Sequence, residues 1–143
     1  MGSLTHLDSM VFIYFLDNTN TKFHQASFAV IKDILRGEIQ AITSNISVIE
    51  TLSLPQLSSN EEKIDEYTLF FNKTTNLTVF PIGWDISLEA ARLRRINKNL
   101  RTPDAIQLAT AIIHKADIFI TNDKKILSLT SFPVKLIPLD KYK

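Results

Sequence analysis

The chain alternates short apolar runs with longer segments in which apolar residues recur every three or four positions. Five runs have the length of strands that are buried on both faces: residues 4–7, 39–43, 77–80, 118–121 and 135–137. The segments between them have the period of amphipathic helices. Strands that alternate with helices predict an α/β fold with a mainly parallel sheet of about five strands, covered by helices on both faces.

Three segments carry signals for the start of a helix. Ser59, followed three residues later by Glu62, predicts a capping box, and Asp85 predicts an N-cap before residues 86–89. Thr102 and Pro103 predict a further start, with a capping hydroxyl and a proline in the first turn.

The composition limits the kinds of protein this chain can be. Its 143 residues fit one domain, predicted over 1–143, and the absence of cysteine excludes a disulfide scaffold, a zinc–thiolate site and a cysteine nucleophile. With a net charge of +1, any surface for nucleic acid must be local. No apolar run approaches the ~20 residues of a membrane span, and the amino terminus lacks the features of a secretory signal. We therefore expect a soluble, cytoplasmic protein.

Four acidic residues lie in or beside segments that otherwise have buried character. Asp8 and Asp123 each follow an apolar run, and Asp104 opens the apolar helix predicted over residues 105–113. Glu50 is the only charged residue between positions 39 and 60.

A shared site would explain these four acids together. Burying one isolated carboxylate costs several kcal/mol, whereas the carboxyl ends of parallel strands line a single crevice in which ligands bind. If Glu50 points into the same crevice, the four acids converge there. A hard divalent cation such as Mg²⁺ or Mn²⁺, which prefers oxygen ligands, is the simplest counter-charge.

Each acid taken alone has another explanation. Asp104 suits the positive end of a helix dipole, and Asp8 and Asp123 are each placed to cap the helix that follows. Glu50, in mid-helix, cannot be a cap, although its side chain could reach solvent beside the apolar face. The hypothesis of a metal site therefore depends on the four acids as a set.

Four short segments resemble, in order, the motifs of the PIN domain, a nuclease family that includes the VapC-type toxins of bacterial toxin–antitoxin pairs. They are Leu7-Asp8-Ser9, Ser47-Val48-Ile49-Glu50, Pro103-Asp104-Ala105 and Ile120-Thr121-Asn122-Asp123. The resemblance implies a three-layer α/β/α sandwich and an acidic cluster of Asp8, Glu50, Asp104 and Asp123 that holds Mg²⁺ or Mn²⁺. It also implies hydrolysis of phosphodiester bonds, usually in RNA, and an antitoxin protein as a possible partner.

The resemblance assigns supporting roles as well. Ser9 and Thr121 would be hydroxyls that hydrogen-bond the acids or a metal-bound water, and Asn122 matches a common family residue of less defined role. The chain departs from the family at Met10, where a small polar residue is common, and at Lys124-Lys125, where many toxins have a further acid or Arg-Phe. These departures bear on the number of metal ions and on substrate preference.

A basic stretch precedes Asp104. Residues 92–103 contain five basic side chains and no acid, and helical spacing would place Arg94, Lys98 and Arg101 on one face. This face is either an RNA-binding wall or an ordinary solvated helix surface, and an antitoxin could use it too.

The remaining side chains with chemical potential fit structural roles better. The three histidines lack metal-ligand spacing, so His6, His24 and His114 are predicted to be surface or partly buried. Trp84 and the phenylalanine pairs at 12 and 15 and at 70 and 71 are predicted to be core or interface. An exposed apolar helix over residues 11–16 would suit a homodimer.

The sequence therefore predicts a metal-dependent endoribonuclease, the toxin of a toxin–antitoxin pair. The alternative is a catalytically silent PIN-like module that binds RNA or protein. A receiver-type regulator is a weaker fit, because it requires adjacent acids after the first strand, and Asp8-Ser9 provides one.

Overall fold

The computed structural model describes residues 3–17 and 21–142. They contain one sheet of five strands in the order β3-β2-β1-β4-β5, and every neighbouring pair is parallel. The strands are β1 (Leu4–Leu7), β2 (Gln40–Ser44), β3 (Leu77–Phe80), β4 (Ile118–Thr121) and β5 (Lys135–Pro138). The predicted parallel sheet is confirmed, and each strand begins and ends within one residue of its predicted bounds.

Helices connect the strands. They are α1 (Ser9–Leu16), α2 (Thr21–Leu35), α3 (Asn45–Leu52), α4 (Glu61–Lys73), α5 (Trp84–Ile96), α6 (Thr102–Ile113) and α7 (Lys124–Leu127), with short 3₁₀ turns at Pro55–Leu57 and Leu139–Lys141. In the described ranges, none of the helices has both the length and the apolar character needed to cross a membrane.

The helices cover both faces of the sheet, so the predicted three-layer sandwich is confirmed. On one face, Leu7 and Ile120 of the sheet join a buried cluster with α1, α2 and α4, which includes Phe12. On the other face, Phe119 joins a second cluster with α5, α6 and α7, which includes Leu108. Successive strand residues point to opposite faces, which is why neighbouring positions in β4 enter different cores.

The chain reverses direction across the sheet at β1. It runs outward from β1 through β2 to β3 and then returns to place β4 on the other side of β1. Leu7 and Ile120 are paired in the register of β1 and β4, so the residues that follow these strands leave the sheet side by side. Such a reversal opens a crevice at the carboxyl edge of the sheet, and Asp8 and Asp123 follow the two strands that border it.

The start of α4 differs from the prediction. Asn60, not Ser59, is the N-cap, and its side-chain oxygen accepts a hydrogen bond from the Lys63 backbone N–H at 3.1 Å. Asparagine caps as well as serine does, so the one-residue shift costs the helix nothing.

The starts of α5 and α6 also differ. Gly83 is the N-cap of α5, and Asp85 lies within the first turn, where its carboxylate accepts from the adjacent Ile86 N–H. Thr102 is the first residue of α6 and does not cap it, since Arg101 occupies the cap position without a side-chain bond. Both helices begin earlier than predicted because an acid or a proline is accepted inside the first turn, where N–H groups have no partner within the helix.

Two predictions about burial were wrong. His6 is fully buried, with its ring stacked on Phe119 at a centroid distance of 4.8 Å. Trp84, predicted to be core or interface, is 82% exposed, so a core position is excluded and an interface stays a prediction. α1 is not an exposed apolar helix, because Val11 and Phe12 are fully buried between the sheet and the neighbouring helices. A homodimer stays a prediction, without this helix to support it.

Candidate active site

Asp8 is fixed at the carboxyl end of β1 by two hydrogen bonds. Its Oδ1 accepts from the Ser9 backbone N–H at 2.8 Å, which caps α1, and its Oδ2 accepts from the Thr121 hydroxyl at 2.7 Å. The residue is only 5% exposed. Its carboxylate is therefore held between the start of α1 and the end of β4.

Asp123 is tied to the same hydroxyl. The Asp123 backbone N–H donates to Thr121 Oγ1 at 3.0 Å, and the Asp123 carboxylate caps α7 by accepting from the Lys125 N–H at 2.8 Å. Asp8 and Asp123 thus both act as helix caps, and a single threonine joins their segments.

Glu50 reaches this region from α3, which starts directly after β2. The helix is capped by Ser44, whose hydroxyl accepts from Ile46 N–H. One oxygen of the half-buried Glu50 carboxylate accepts from the Ser9 hydroxyl at 2.7 Å. Ser9 therefore contacts two of the four acids, Asp8 through its backbone and Glu50 through its side chain.

Asp104 enters from the first turn of α6 and is 7% exposed. Its Oδ2 lies 3.4 Å from Nε of Arg101, whose side chain is 68% exposed. An ion pair with so exposed a partner is worth little, typically ~1 kcal/mol or less. In the described part of the chain it is the one ion pair that any of the four acids makes.

The charges of the four acids act on one another. Burial raises the pKa of Asp8 from 3.8 to about 6; hydrogen bonds from Thr121 and Ser9 oppose this, and the charges of Asp104 and Glu50 add to it. Burial also raises the pKa of Asp104, and the charge of Asp123 contributes, while Arg101 opposes it. The acids therefore stand close enough to repel one another with little compensating positive charge.

This set of donors fits a hard divalent cation in its chemistry, since every group is a carboxylate oxygen. Within residues 3–17 and 21–142, however, no group of three or more acidic or histidine side chains is placed to hold a metal ion. Mg²⁺ is commonly bound through one or two carboxylates, with waters and substrate oxygens completing its octahedron. The residues are thus compatible with an ion that depends on substrate for part of its coordination.

The sequence was compared with profiles of known protein families. The sequence profile described as "PIN domain" matches residues 6–131, which is most of the chain and includes all four acids. This chain belongs to the PIN-domain family. Among curated proteins, none matches the sequence.

Solved structures share the PIN fold over nearly the whole chain. A toxin–antitoxin complex from Klebsiella pneumoniae is 22% identical, with a TM-score of 0.65, covering 94% of this chain and 97% of its own. VapBC2 from Rickettsia felis, bound to a DNA fragment from its promoter, is 14% identical with a TM-score of 0.70, covering 94% and 98%. FitAcB from Neisseria gonorrhoeae is 19% identical with a TM-score of 0.67, covering 94% and 97%. At these identities, the likeness shows the fold.

Asn122 makes different contacts from the other candidate residues of the PIN domain. Its side-chain oxygen accepts from the Leu139 N–H at 3.1 Å, and its backbone N–H points to the Met10 sulfur. Met10 also lies 3.9 Å from the Thr121 hydroxyl. Asn122 therefore ties the end of β4 to the segment after β5, and it has no hydrogen bond with any of the four acids in the described residues.

The three basic candidates do not share a helical face, which corrects that prediction. α5 ends at Ile96, and Lys98 and Arg101 lie in the loop before α6. Asn97 leaves the helical conformation, and Arg94 Nε donates to the Leu100 carbonyl at 3.1 Å, which closes the loop over the end of α5.

The loop forms part of a basic pocket that the sequence analysis missed. Lys98 of this loop and Lys125 of α7 both line a pocket of about 310 Å³. Its lining residues are Asn97, Lys98, Asn99, Leu100, Lys125, Ser128, Leu129 and Thr130. Neither lysine has a carboxylate within 4 Å among the residues described. The signal in the sequence was Lys124-Lys125 directly after a candidate acid.

Proposed function

We propose that this PIN domain is a metal-dependent endoribonuclease that hydrolyses RNA phosphodiester bonds at a site of four carboxylates, Asp8, Glu50, Asp104 and Asp123. The observation that carries the proposal is the buried carboxylate of Asp8, whose pKa is raised to about 6 by burial and by neighbouring acids. A carboxylate that is buried at a cost in folding free energy is typical of a functional site, above all at the crevice where the chain reverses direction across a parallel sheet.

The acids have separable roles in this proposal. When bound, Mg²⁺ or Mn²⁺ supplies a Lewis acid for the phosphoryl oxygens and lowers the pKa of water. Asp8 and Glu50, which are held by Thr121 and Ser9, would orient the ion. Asp104 has a raised pKa and suits the general base, because a raised pKa makes its carboxylate a stronger acceptor for the proton of the attacking water.

We propose that the phosphate backbone of the RNA substrate binds along the basic residues that flank the acids. Lys98 and Lys125 are exposed, and each belongs to a segment that lies beside an acid in the sequence: Lys98 before Asp104, and Lys125 after Asp123. Two lysines without a carboxylate partner are suited to a phosphate that flanks the scissile bond. Arg94, in the last turn of α5, and Arg101, at the end of the loop, would add positive charge, although each already has a partner within the protein.

Cleavage of RNA by the purified protein tests the proposal. We expect wild-type protein to cut single-stranded RNA in Mn²⁺ or Mg²⁺ and to lose activity in EDTA, and Asp8→Asn and Glu50→Gln to be inactive. The matched control is Asp33→Asn, because Asp33 is a buried acid of α2 that bonds Tyr142 instead of the site. Equal cleavage by wild type and Asp8→Asn would refute the site, and folded wild type without activity would favour a silent binding module.

We further propose an antitoxin protein as partner, because the similar solved structures include toxin–antitoxin complexes. An apolar groove beside α1 and α2 supports a protein partner, since Phe28 and Leu35 are exposed in it and Lys32 and Arg36 line its edge. The product of a short neighbouring reading frame, co-expressed with this chain, should co-purify and suppress RNA cleavage. Leu35→Glu should weaken that complex without lowering the cleavage rate.

A further inference from the structure

A chain of four buried hydrogen bonds runs beneath the acids. His6 Nε2 and Gln107 Oε1 are 2.8 Å apart, and Gln107 Nε2 donates to Ser47 Oγ at 2.8 Å. Ser47 Oγ lies 2.6 Å from Thr43 Oγ1, which donates to the Leu7 carbonyl at 2.7 Å. The four side chains are each at most 1% exposed. The chain thus starts and ends in β1 and passes through α6, α3 and β2.

The direction of every bond in this chain follows from the available protons. Thr43 has one hydroxyl proton, which goes to Leu7, so Ser47 must donate to Thr43. Ser47 then accepts from the Gln107 amide nitrogen, and the amide oxygen must accept from His6 Nε2–H. In the neutral ring, His6 Nδ1 then carries no proton, which agrees with its having no hydrogen-bond partner among the described residues. Each side chain therefore fits the chain in one orientation only.

The members of the chain stand next to the acids in sequence and on the same elements. Gln107 lies three residues after Asp104, one turn along α6, and Ser47 lies three residues before Glu50, one turn back along α3. Leu7, whose carbonyl ends the chain, directly precedes Asp8. The bond between Gln107 and Ser47 is therefore a direct polar link between the helices that carry two of the acids.

We infer that Gln107 is a positioning residue: by donating to Ser47 it fixes α6 against α3 and so sets where the Asp104 and Glu50 carboxylates stand relative to Asp8. This inference rests on the proposed nuclease function. Apolar packing also fixes α6 on the sheet, and the directional chain of bonds adds a specific polar constraint between α6 and α3. A displacement of about 1 Å between reacting groups can lower a rate by about a hundredfold.

The test compares Gln107→Leu and Ser47→Ala with wild type in RNA cleavage and in Mn²⁺ binding by calorimetry. We expect each variant to lower kcat by about tenfold or more and to weaken Mn²⁺ binding, with little change in KM for RNA. The effects of the two changes on kcat should be less than additive in the double variant, because both changes break the bond between Gln107 and Ser47. Ser47→Ala removes one atom, and Gln107→Met keeps an unbranched chain, so folded protein is available even if Gln107→Leu is unstable.

Thr110→Val is the matched control. Thr110 is also a fully buried polar residue of α6, but within the described residues its hydroxyl donates to the Ile106 carbonyl of its own helix and to no other element. We expect this variant to keep kcat and Mn²⁺ affinity whatever it does to the melting temperature. A folded Gln107→Leu protein that keeps both quantities, or a Thr110→Val protein that loses them equally, would overturn the positioning role. Wild type that neither binds Mn²⁺ nor cleaves RNA would instead overturn the proposed function, and the positioning role with it.

Discussion

The hydroxyl of Thr121 donates to the carboxylate of Asp8 at 2.7 Å, across 113 positions of sequence. The same oxygen accepts from the backbone N–H of Asp123 at 3.0 Å. One side chain at the end of β4 therefore fixes an acid that follows β1 and the segment of another that follows β4. Its bond is also the strongest influence that keeps the pKa of Asp8 from rising further.

Thr121→Val should disturb the site without leaving a cavity in the core, because valine has nearly the same shape as threonine. Loss of the hydroxyl removes a bond to the ionised form of Asp8, so the pKa of Asp8 should rise above about 6. We expect kcat/KM for RNA to fall about tenfold and the rise of activity with pH to move to higher pH. The pH–rate profile measures both effects, and an unshifted profile would contradict this role of Thr121.

Asp8→Asn should stabilise the metal-free protein at neutral pH. The shift of the Asp8 pKa from 3.8 to about 6 corresponds to about 3 kcal/mol. Because the folded-state pKa is the higher one, this cost is absent below about pH 4, grows between pH 4 and 6, and is complete above pH 6. Urea unfolding should show Asp8→Asn to be more stable than wild type by about 1–3 kcal/mol at pH 7.5 and nearly equal to it at pH 4. A constant difference across this range would count against burial of the charge as the cause.

Mn²⁺ should raise the melting temperature of the wild-type protein, because a ligand that binds only the folded state stabilises it. The rise should be larger at pH 7.5 than at pH 5, where Asp8 is mostly protonated. Asp8→Asn and Glu50→Gln should show little rise, and Asp33→Asn should respond like wild type. Thermal unfolding scans with no metal and with Mn²⁺ at about 5 mM measure this difference. An equal response from all four proteins would show that the ion binds elsewhere.

Lys98→Met and Lys125→Met should weaken RNA binding without changing the chemistry. Each lost phosphate contact should raise KM severalfold and reduce the slope of log affinity against log salt by about 0.7, as for a single strand. Binding by fluorescence anisotropy, in an Asp8→Asn background that does not cut, measures the slope directly. Lys73→Met is the control, since Lys73 is an exposed lysine at the end of α4, outside the pocket. If Lys98→Met and Lys125→Met gave the same slope of log affinity against log salt as Lys73→Met, the pocket would not be part of the RNA-binding site.

The strands were predictable because a parallel sheet covered by helices buries much of each strand and leaves it as a short, mostly apolar run. The candidate acids were visible for the same reason, since a charge beside such a run is conspicuous. Asp8, Glu50 and Asp104 were each found by this contrast with their surroundings.

Other features could not be predicted because they depend on partners far away in sequence. The partner that lets His6 be buried, Gln107, is 101 residues away, so the sequence around His6 does not reveal the hydrogen bond. Gln107 itself was detectable as a polar residue on an apolar helix, but its bond to Ser47 depends on how two helices pack. The helical face assigned to Arg94, Lys98 and Arg101 failed because spacing alone does not reveal that α5 ends at Ile96.

The position of β1 in the middle of the sheet has a consequence for synthesis of the protein. β1 leaves the ribosome before the other strands of this sheet, yet its second neighbour, β4, begins only at Ile118, and Asp123 follows still later. A nascent chain that stops short of β4 would expose one edge of its earliest strand and lack the last acid of the set. The proposed nuclease would thus have no assembled centre until β4 and Asp123 have been synthesised and packed against β1.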